Sequence, residues 1–169
     1  MECRALAACG NRCMFAAFLL APAPFAATRY VSPTGADVTS TGPTFWQLEF
    51  NSCCDQGKPC KTIYWAVKTA QNGDVISVAE GHYVETITVS KNLLFKGAGG
   101  YLVGAPLIWV DGNKQDSVFK IELGATATIQ SMLISNGKNG ISNAGSLAVE
   151  ECLVGGSERN RSLDRQRHL

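Results

Sequence analysis

The sequence predicts an all-β solenoid closed at its N-terminal end by one α-helix. Three observations predict it. A short amphipathic helix precedes a long run of very short strand-like segments, no second helical period follows it, and a late segment repeats at an offset of twenty residues. A doubly wound parallel sheet needs a helix between successive strands. Strands this short and this closely spaced point instead to a chain that coils, each turn stacked on the one before.

The helix is read first. Ile63, Ala66, Val67 and Ala70 fall at i, i+3, i+4 and i+7, one apolar stripe on a 3.6-residue period. Thr62 is placed to cap the start, and Gly73, beside Asn72, to end it, so the expected helix covers 62–72. The end of a stack of coils exposes unpaired strand edges and an apolar interior. A helix laid across that end covers both. Lys68 lies off the stripe and faces solvent in this reading.

Before the helix, Thr28 to Val31 begins a first strand. Residues 32–59 read as loop, broken by Gly35, Gly42, Pro43, Gly57 and Pro59. Within it, Phe45, Trp46, Leu48 and Phe50 form an apolar cluster that folds back over the helix or offers a platform for sugar rings. After Gly73 the period changes. Val75-Ile76-Ser77-Val78, Ile87-Thr88-Val89 and Leu93-Leu94-Phe95 are β-rich runs bounded by Gly, Asn or charged residues. Leu107-Ile108-Trp109-Val110 and residues 117–121 follow, in a register the sequence leaves open.

The repeat is clearest near the end. Ile129 stands over Val149, Met132 over Cys152 and Ile134 over Val154, each twenty positions on. Two such steps back reach Val89, Asn92 and Leu94, with a poorer match at Asn92. A period of twenty-odd residues is the size of a solenoid turn. Stacked on Met132, Cys152 reads as a core thiol and not a nucleophile. Asn136, Asn139 and Asn143, set among glycines, read as corner residues, since Asn adopts left-handed backbone angles and bonds its own backbone.

The first half also carries a resemblance. Tyr30-Val31-Ser32-Pro33 with Gly35 and Asp37, then Pro59 with Lys61-Thr62-Ile63, Ala66 and Ala70, then Gly73-Asp74 with Ile76, Val78, Gly81, Tyr83 and Glu85, then Leu94 with Gly97 and Gly99, form one series. It resembles the N-terminal part of right-handed parallel β-helix proteins, the pectate-lyase-like superfamily. The motifs cover about residues 29–100, and the repeat pattern extends to about 156. The resemblance implies a right-handed parallel β-helix with an N-terminal capping helix. It says little about activity, because the superfamily holds lyases, hydrolases, epimerases, adhesins and non-catalytic surface proteins. In the lyases, the catalytic and calcium-binding residues lie in later coils than this pattern. Asp37 and Asp74 match the family pattern and read as turn caps, not calcium ligands.

Length and charge bound the rest. With 169 residues the chain holds one ordinary domain, and a net charge of +1 gives no steering field for nucleic acid or a membrane surface. The N-terminus has the shape of an export signal. Arg4 and Arg12 precede an apolar run from Cys13 to Ala21, and a small-residue region ends at Ala27. The run is shorter than the ~20 residues that cross a bilayer. Cleavage after Ala26 or after Ala27 both fit, with Pro24 or Phe25 three positions back. The expected organisation is a signal peptide at 1–27, a β-helix domain at 28–156 and a basic tail without repeat at 157–169. That makes the protein secreted, periplasmic or bound at the cell surface. In such a compartment Cys53 or Cys54 can bridge to Cys60. A zinc site, the alternative, lacks a nearby His and a known ligand spacing.

Polysaccharide-cleaving enzymes need charged groups gathered on one exposed sheet face. The segment holding Asp111, Lys114 and Asp116 comes nearest, but Asp-Gly-Asn is also a turn sequence. Glu150 and Glu151 are adjacent in a strand and so point to opposite faces. No catalytic residue is therefore assigned. Trp46, Asp111, Lys114 and Asp116 remain as weak carbohydrate-binding candidates. No cofactor is expected, calcium entering only through kinship with a lyase. The expected function is an exported, non-catalytic module that binds a polysaccharide, another cell-surface polymer or a partner. The alternative is the N-terminal fragment of a polysaccharide lyase or glycoside hydrolase. Self-association through an open C-terminal strand edge is also expected.

Overall fold

The computed structural model describes residues 26–40, 48–102 and 104–155. The leader up to residue 25, Trp46 with Phe45, and the basic tail lie outside the described residues. What is described is all-β, with one helix and mostly parallel strands.

Strand β1 (Thr28–Val31) opens the chain, followed by the short antiparallel pair β2 (Val38–Ser40) and β3 (Leu48–Phe50) and by helix α1 (Ile63–Thr69). From there the strands come in threes. The first circuit is β4 (Val75–Val78), β5 (Gly81–Val84) and β6 (Ile87–Val89). The second is β7 (Leu93–Gly97), then a small hairpin of β8 (Tyr101–Leu102) and β9 (Ala105–Pro106), then β10 (Ile108–Asp111) and β11 (Phe119–Ile121). The third is β12 (Thr126–Gln130), β13 (Leu133–Ser135) and β14 (Ile141–Asn143), and a fourth begins with β15 (Ser146–Glu150) and β16 (Leu153–Gly155). Like strands of successive circuits pair in parallel, giving sheets β1-β4-β7-β12-β15, β5-β10-β13-β16 and β6-β11-β14.

Strand alternation sends every second side chain inward, and the parallel register stacks like on like. Ile76 pairs with Phe95 and Phe95 with Ile129, all fully buried. Tyr83, Val110 and Ile134 make the matching column in the second sheet. Phe95 and Phe119 meet edge to face, ring centres 5.3 Å apart, across the interior. The β1 position below Ile76 is Arg29, a core-facing charge. Its guanidinium pairs with buried Asp74 at 2.9 Å.

The helix stripe behaves as its spacing requires. Ile63, Ala66, Val67 and Ala70 are buried, while Lys68 is exposed and its ammonium lies 4.9 Å above the Trp65 ring. Thr62 caps the start by accepting the Trp65 N–H at 3.1 Å. The end differs from the sequence expectation. The helix stops at Thr69, Ala70 turns extended, and Gly73, at φ 90°, belongs to the turn into β4. Lys91, between β6 and β7, stops it: its ammonium donates to the carbonyls of Val67, Lys68 and Ala70 at 3.0, 3.1 and 2.7 Å. A cation on the last carbonyls complements the negative helix end.

The repeat also needs one correction. The twenty-residue offset holds between β12 and β15 and between β13 and β16. One circuit earlier it fails, because the β8–β9 hairpin and the turn after β10 lengthen the second circuit. Ile129 pairs with Phe95, thirty-four positions back, and Ile134 with Val110. Val89, Asn92 and Leu94 are therefore not their counterparts.

Gly81 shows why the first circuit needs a glycine. It sits at φ 151°, and a Cβ there would collide with the Pro33 ring.

Candidate functional site

The outer face of sheet β5-β10-β13-β16 gathers polar and aromatic groups that the core does not use. With Tyr83, Val110 and Ile134 turned inward, the positions beside them turn out. One outward column runs His82, Trp109, Leu133, Leu153, and the next runs Val84, Asp111, Ser135, Gly155.

His82 and Trp109 stack with ring centres 4.1 Å apart and planes 20° off parallel. Trp109 is 38% exposed, and its indole Nε1 donates to the Ser135 hydroxyl at 2.6 Å, so the ring is held on a face and at an edge. Asp111 is almost out of solvent. Its Oδ1 accepts from the Asn113 N–H at 2.7 Å and from the Asn136 side-chain amide at 2.8 Å, while Oδ2 lies 3.3 Å from His82 Nε2. Burial alone raises a carboxyl pKa. Here the Asn113 and Asn136 bonds and the His82 partner outweigh it and hold Asp111 below the usual carboxylate range.

The donors are placed by two neighbouring turns. Asn113 and Lys114 adopt left-handed angles after β10, and Asn136 does the same after β13, as expected of a corner residue. The Asn136 carbonyl accepts the Lys114 N–H at 2.6 Å, while its side chain reaches Asp111. The result is a fixed aromatic pair beside an ionised carboxylate and an imidazole that remains about half exposed. Such a set can stack on an apolar ring face, bond hydroxyl groups, and move a proton at His82 Nε2.

Of the residues singled out in the sequence, Asp111 lies at the centre of this face. Lys114 is exposed on the adjoining turn, and Asp116 is spent locally, accepting the Ser117 N–H at 2.8 Å. Trp46 lies outside the described residues. Glu150 and Glu151 do not act as a pair: Glu150 accepts from Gln130, and Glu151 from Ser131 and Tyr101. His82, Trp109 and Ser135 were not singled out. Strand alternation carried the signal, since burying Ile108 and Val110 obliges Trp109 to face out.

Two further acidic residues, Asp37 and Glu85, hold the start of the helix. Asp37 accepts from the Lys61 and Thr62 N–H groups and the Thr62 hydroxyl at 2.8, 3.1 and 2.8 Å. Glu85 reaches back to the helix start and accepts the Ile63 and Tyr64 N–H groups at 3.0 and 2.7 Å. Burial raises its pKa in spite of those two bonds. Cys53 is joined to Cys60 in a disulfide, Cα atoms 5.1 Å apart, under the helix. Cys152 is a half-buried free thiol whose pKa burial raises, and its Sγ points to the Ile129 and Glu150 carbonyls. Among the described residues, no group of three or more His, Cys, Asp or Glu is set to hold a metal ion, and no helix is long and apolar enough to cross a membrane.

No family model, curated protein or solved structure matches the chain. Fold and site together define its class by architecture: an all-β chain of mostly parallel strands in several sheets, with an aromatic and polar patch on one sheet face.

Proposed function

We propose that the protein is an exported right-handed parallel β-helix that binds a polysaccharide on the outer face of sheet β5-β10-β13-β16 and does no chemistry on it. The coil reading is supported by the order in which the chain visits its three sheets and by the parallel register between circuits. Export is supported by the leader pattern and by the Cys53–Cys60 bridge, which belongs to an oxidising compartment. One observation carries the binding reading: the partly exposed Trp109, locked by His82 and Ser135 next to Asp111. A pre-fixed aromatic ring with hydrogen-bonding groups beside it binds a sugar with little ordering loss.

The test is electrophoresis of the purified protein through gels holding polygalacturonate, xylan or a β-glucan. At least one polymer should retard it, and Trp109→Ala should remove the retardation while leaving the melting point within a few degrees. Normal mobility in all three gels overturns the binding reading. Release of unsaturated uronides or reducing ends would overturn the non-catalytic reading in favour of a lyase or hydrolase fragment, with His82 as the group to remove next.

A further inference from the structure

We infer that the leader is removed by hydrolysis of the Ala26–Ala27 peptide bond, and that the α-ammonium so formed seats on Asp74. The inference rests on the export reading and fixes a bond that the leader sequence leaves open between two positions.

The two bonds are not equivalent in the fold. Ala26 is exposed, whereas Ala27 is 8% exposed and already part of the first sheet. Its N–H donates to Asp74 Oδ1 at 2.9 Å, and its carbonyl accepts the Val75 N–H at 2.9 Å, extending the β1–β4 pairing by one rung. The other Asp74 oxygen is taken up by Arg29 Nε at 3.0 Å, Arg29 Nη2 at 2.9 Å and the Gln71 N–H at 2.9 Å. Cleavage after Ala27 would delete the donor on Oδ1 while Asp74 stays buried, and an acceptor left bare in that setting is destabilising. Cleavage after Ala26 keeps both the bond to Asp74 and the bond to Val75. Water adds across the bond, its oxygen going to the Ala26 carbonyl carbon as the C–N bond breaks, and the Ala27 nitrogen leaves as an amine. Beside a carboxylate that amine is favoured in its ammonium form. An amide hydrogen bond thereby becomes a charge-assisted one. Ala26 also supplies the small side chain that signal cleavage requires next to the scissile bond.

The experiment expresses the full 169-residue chain in an exporting bacterium and reads the intact mass and N-terminal sequence of the periplasmic and cytoplasmic protein. A mature chain beginning Ala27-Thr28-Arg29 is expected. One beginning at Thr28 or elsewhere overturns the inference but leaves export standing. A chain that keeps Met1 and stays in the cytoplasm overturns both. Ala26→Leu, at an exposed position, should leave at least tenfold less of the Ala27-started species. An unchanged yield of that species would overturn the assignment.

Discussion

The first and the last described circuits are built from the same alternating strands and differ in how deeply their side chains are buried. At the first circuit, Ile63, Ala66 and Cys60 close the interior and are fully buried, as is Ile76 beneath them. At the last described circuit, Val149, Leu153 and Val154 stand 42%, 53% and 43% exposed, although Val149 and Val154 continue the columns of Ile129 and Ile134. Strand pattern alone therefore does not bury a side chain in this architecture. A residue is buried when a circuit or a cap lies on both sides of it.

Charge in the cap gives the sharpest way to break that comparison. Val67→Asp places a carboxylate on the buried stripe pressed against the first circuit. Such a substitution costs about 3–5 kcal/mol. Lys68→Asp, one residue on, loses only the exposed cation–π contact with Trp65, about 0.5–1 kcal/mol. Thermal melts of the two variants should differ by well over ten degrees. Matching melting points would show that the helix does not close the stack.

A smaller effect is expected where the cap is tied to the circuit below it. Glu85→Ala leaves the Ile63 and Tyr64 N–H groups without their acceptor at the helix start, at a cost of about 2–3 kcal/mol. Denaturant titration would measure it. A loss below about 0.5 kcal/mol would mean that water replaces the carboxylate and that the tie is dispensable.

How much of this was legible before the structure follows the range of each interaction. Helix stripe, N-cap and the Val75, Ile87 and Leu93 strands depend on neighbours within a turn or two, and the pattern placed them. The Lys91 brace joins residues more than twenty positions apart, so the early end of the helix had no local signal. The inserted β8–β9 hairpin broke the repeat and hid the pairing of Phe95 with Ile129. At the candidate site, Asp111 was visible as an acidic turn residue. His82 was not, since it meets Trp109 and Asp111 only through the parallel register. Asn136 was read as a corner from its glycine surroundings, which accounts for its backbone but not for its side-chain bond to Asp111.

Acid should separate the cap from the candidate site. Asp111 has a folded pKa below its unfolded value, so its contribution is complete above the ordinary carboxylate range near pH ~4 and is lost as pH falls through the folded value. Glu85 is shifted the other way, so its contribution is complete below the unfolded value and is lost as pH rises through the folded one. The stability difference between wild type and Asp111→Asn, about 1–2 kcal/mol at pH 7, should therefore shrink below pH ~4. The difference for Glu85→Gln should instead grow as the pH is lowered towards that range. Two differences moving together on acid titration would contradict both assignments.

The smallest effect on stability, and the most specific, belongs to the last described strand. In a parallel pair, successive residues send their backbone groups to opposite sides. Leu153 donates its N–H inward to Met132 at 3.0 Å, so the N–H of Val154 points away from β13. An outward donor on an edge strand is a template for another chain, and the partly exposed Val149, Leu153 and Val154 side chains lie beside it. The expected consequence is concentration-dependent self-association. Val154→Pro removes the outward donor and should weaken association at least tenfold, with at most about 1 kcal/mol lost from the fold, because proline is tolerated at sheet edges. Leu153→Pro removes the inward donor, so it should cost more stability and leave association nearer to wild type. Light scattering across a dilution series, paired with melts, reads both quantities. A wild-type chain that stays monomeric at the highest concentration, or a Val154→Pro variant that associates as strongly as wild type, would mean that β16 is not an open edge.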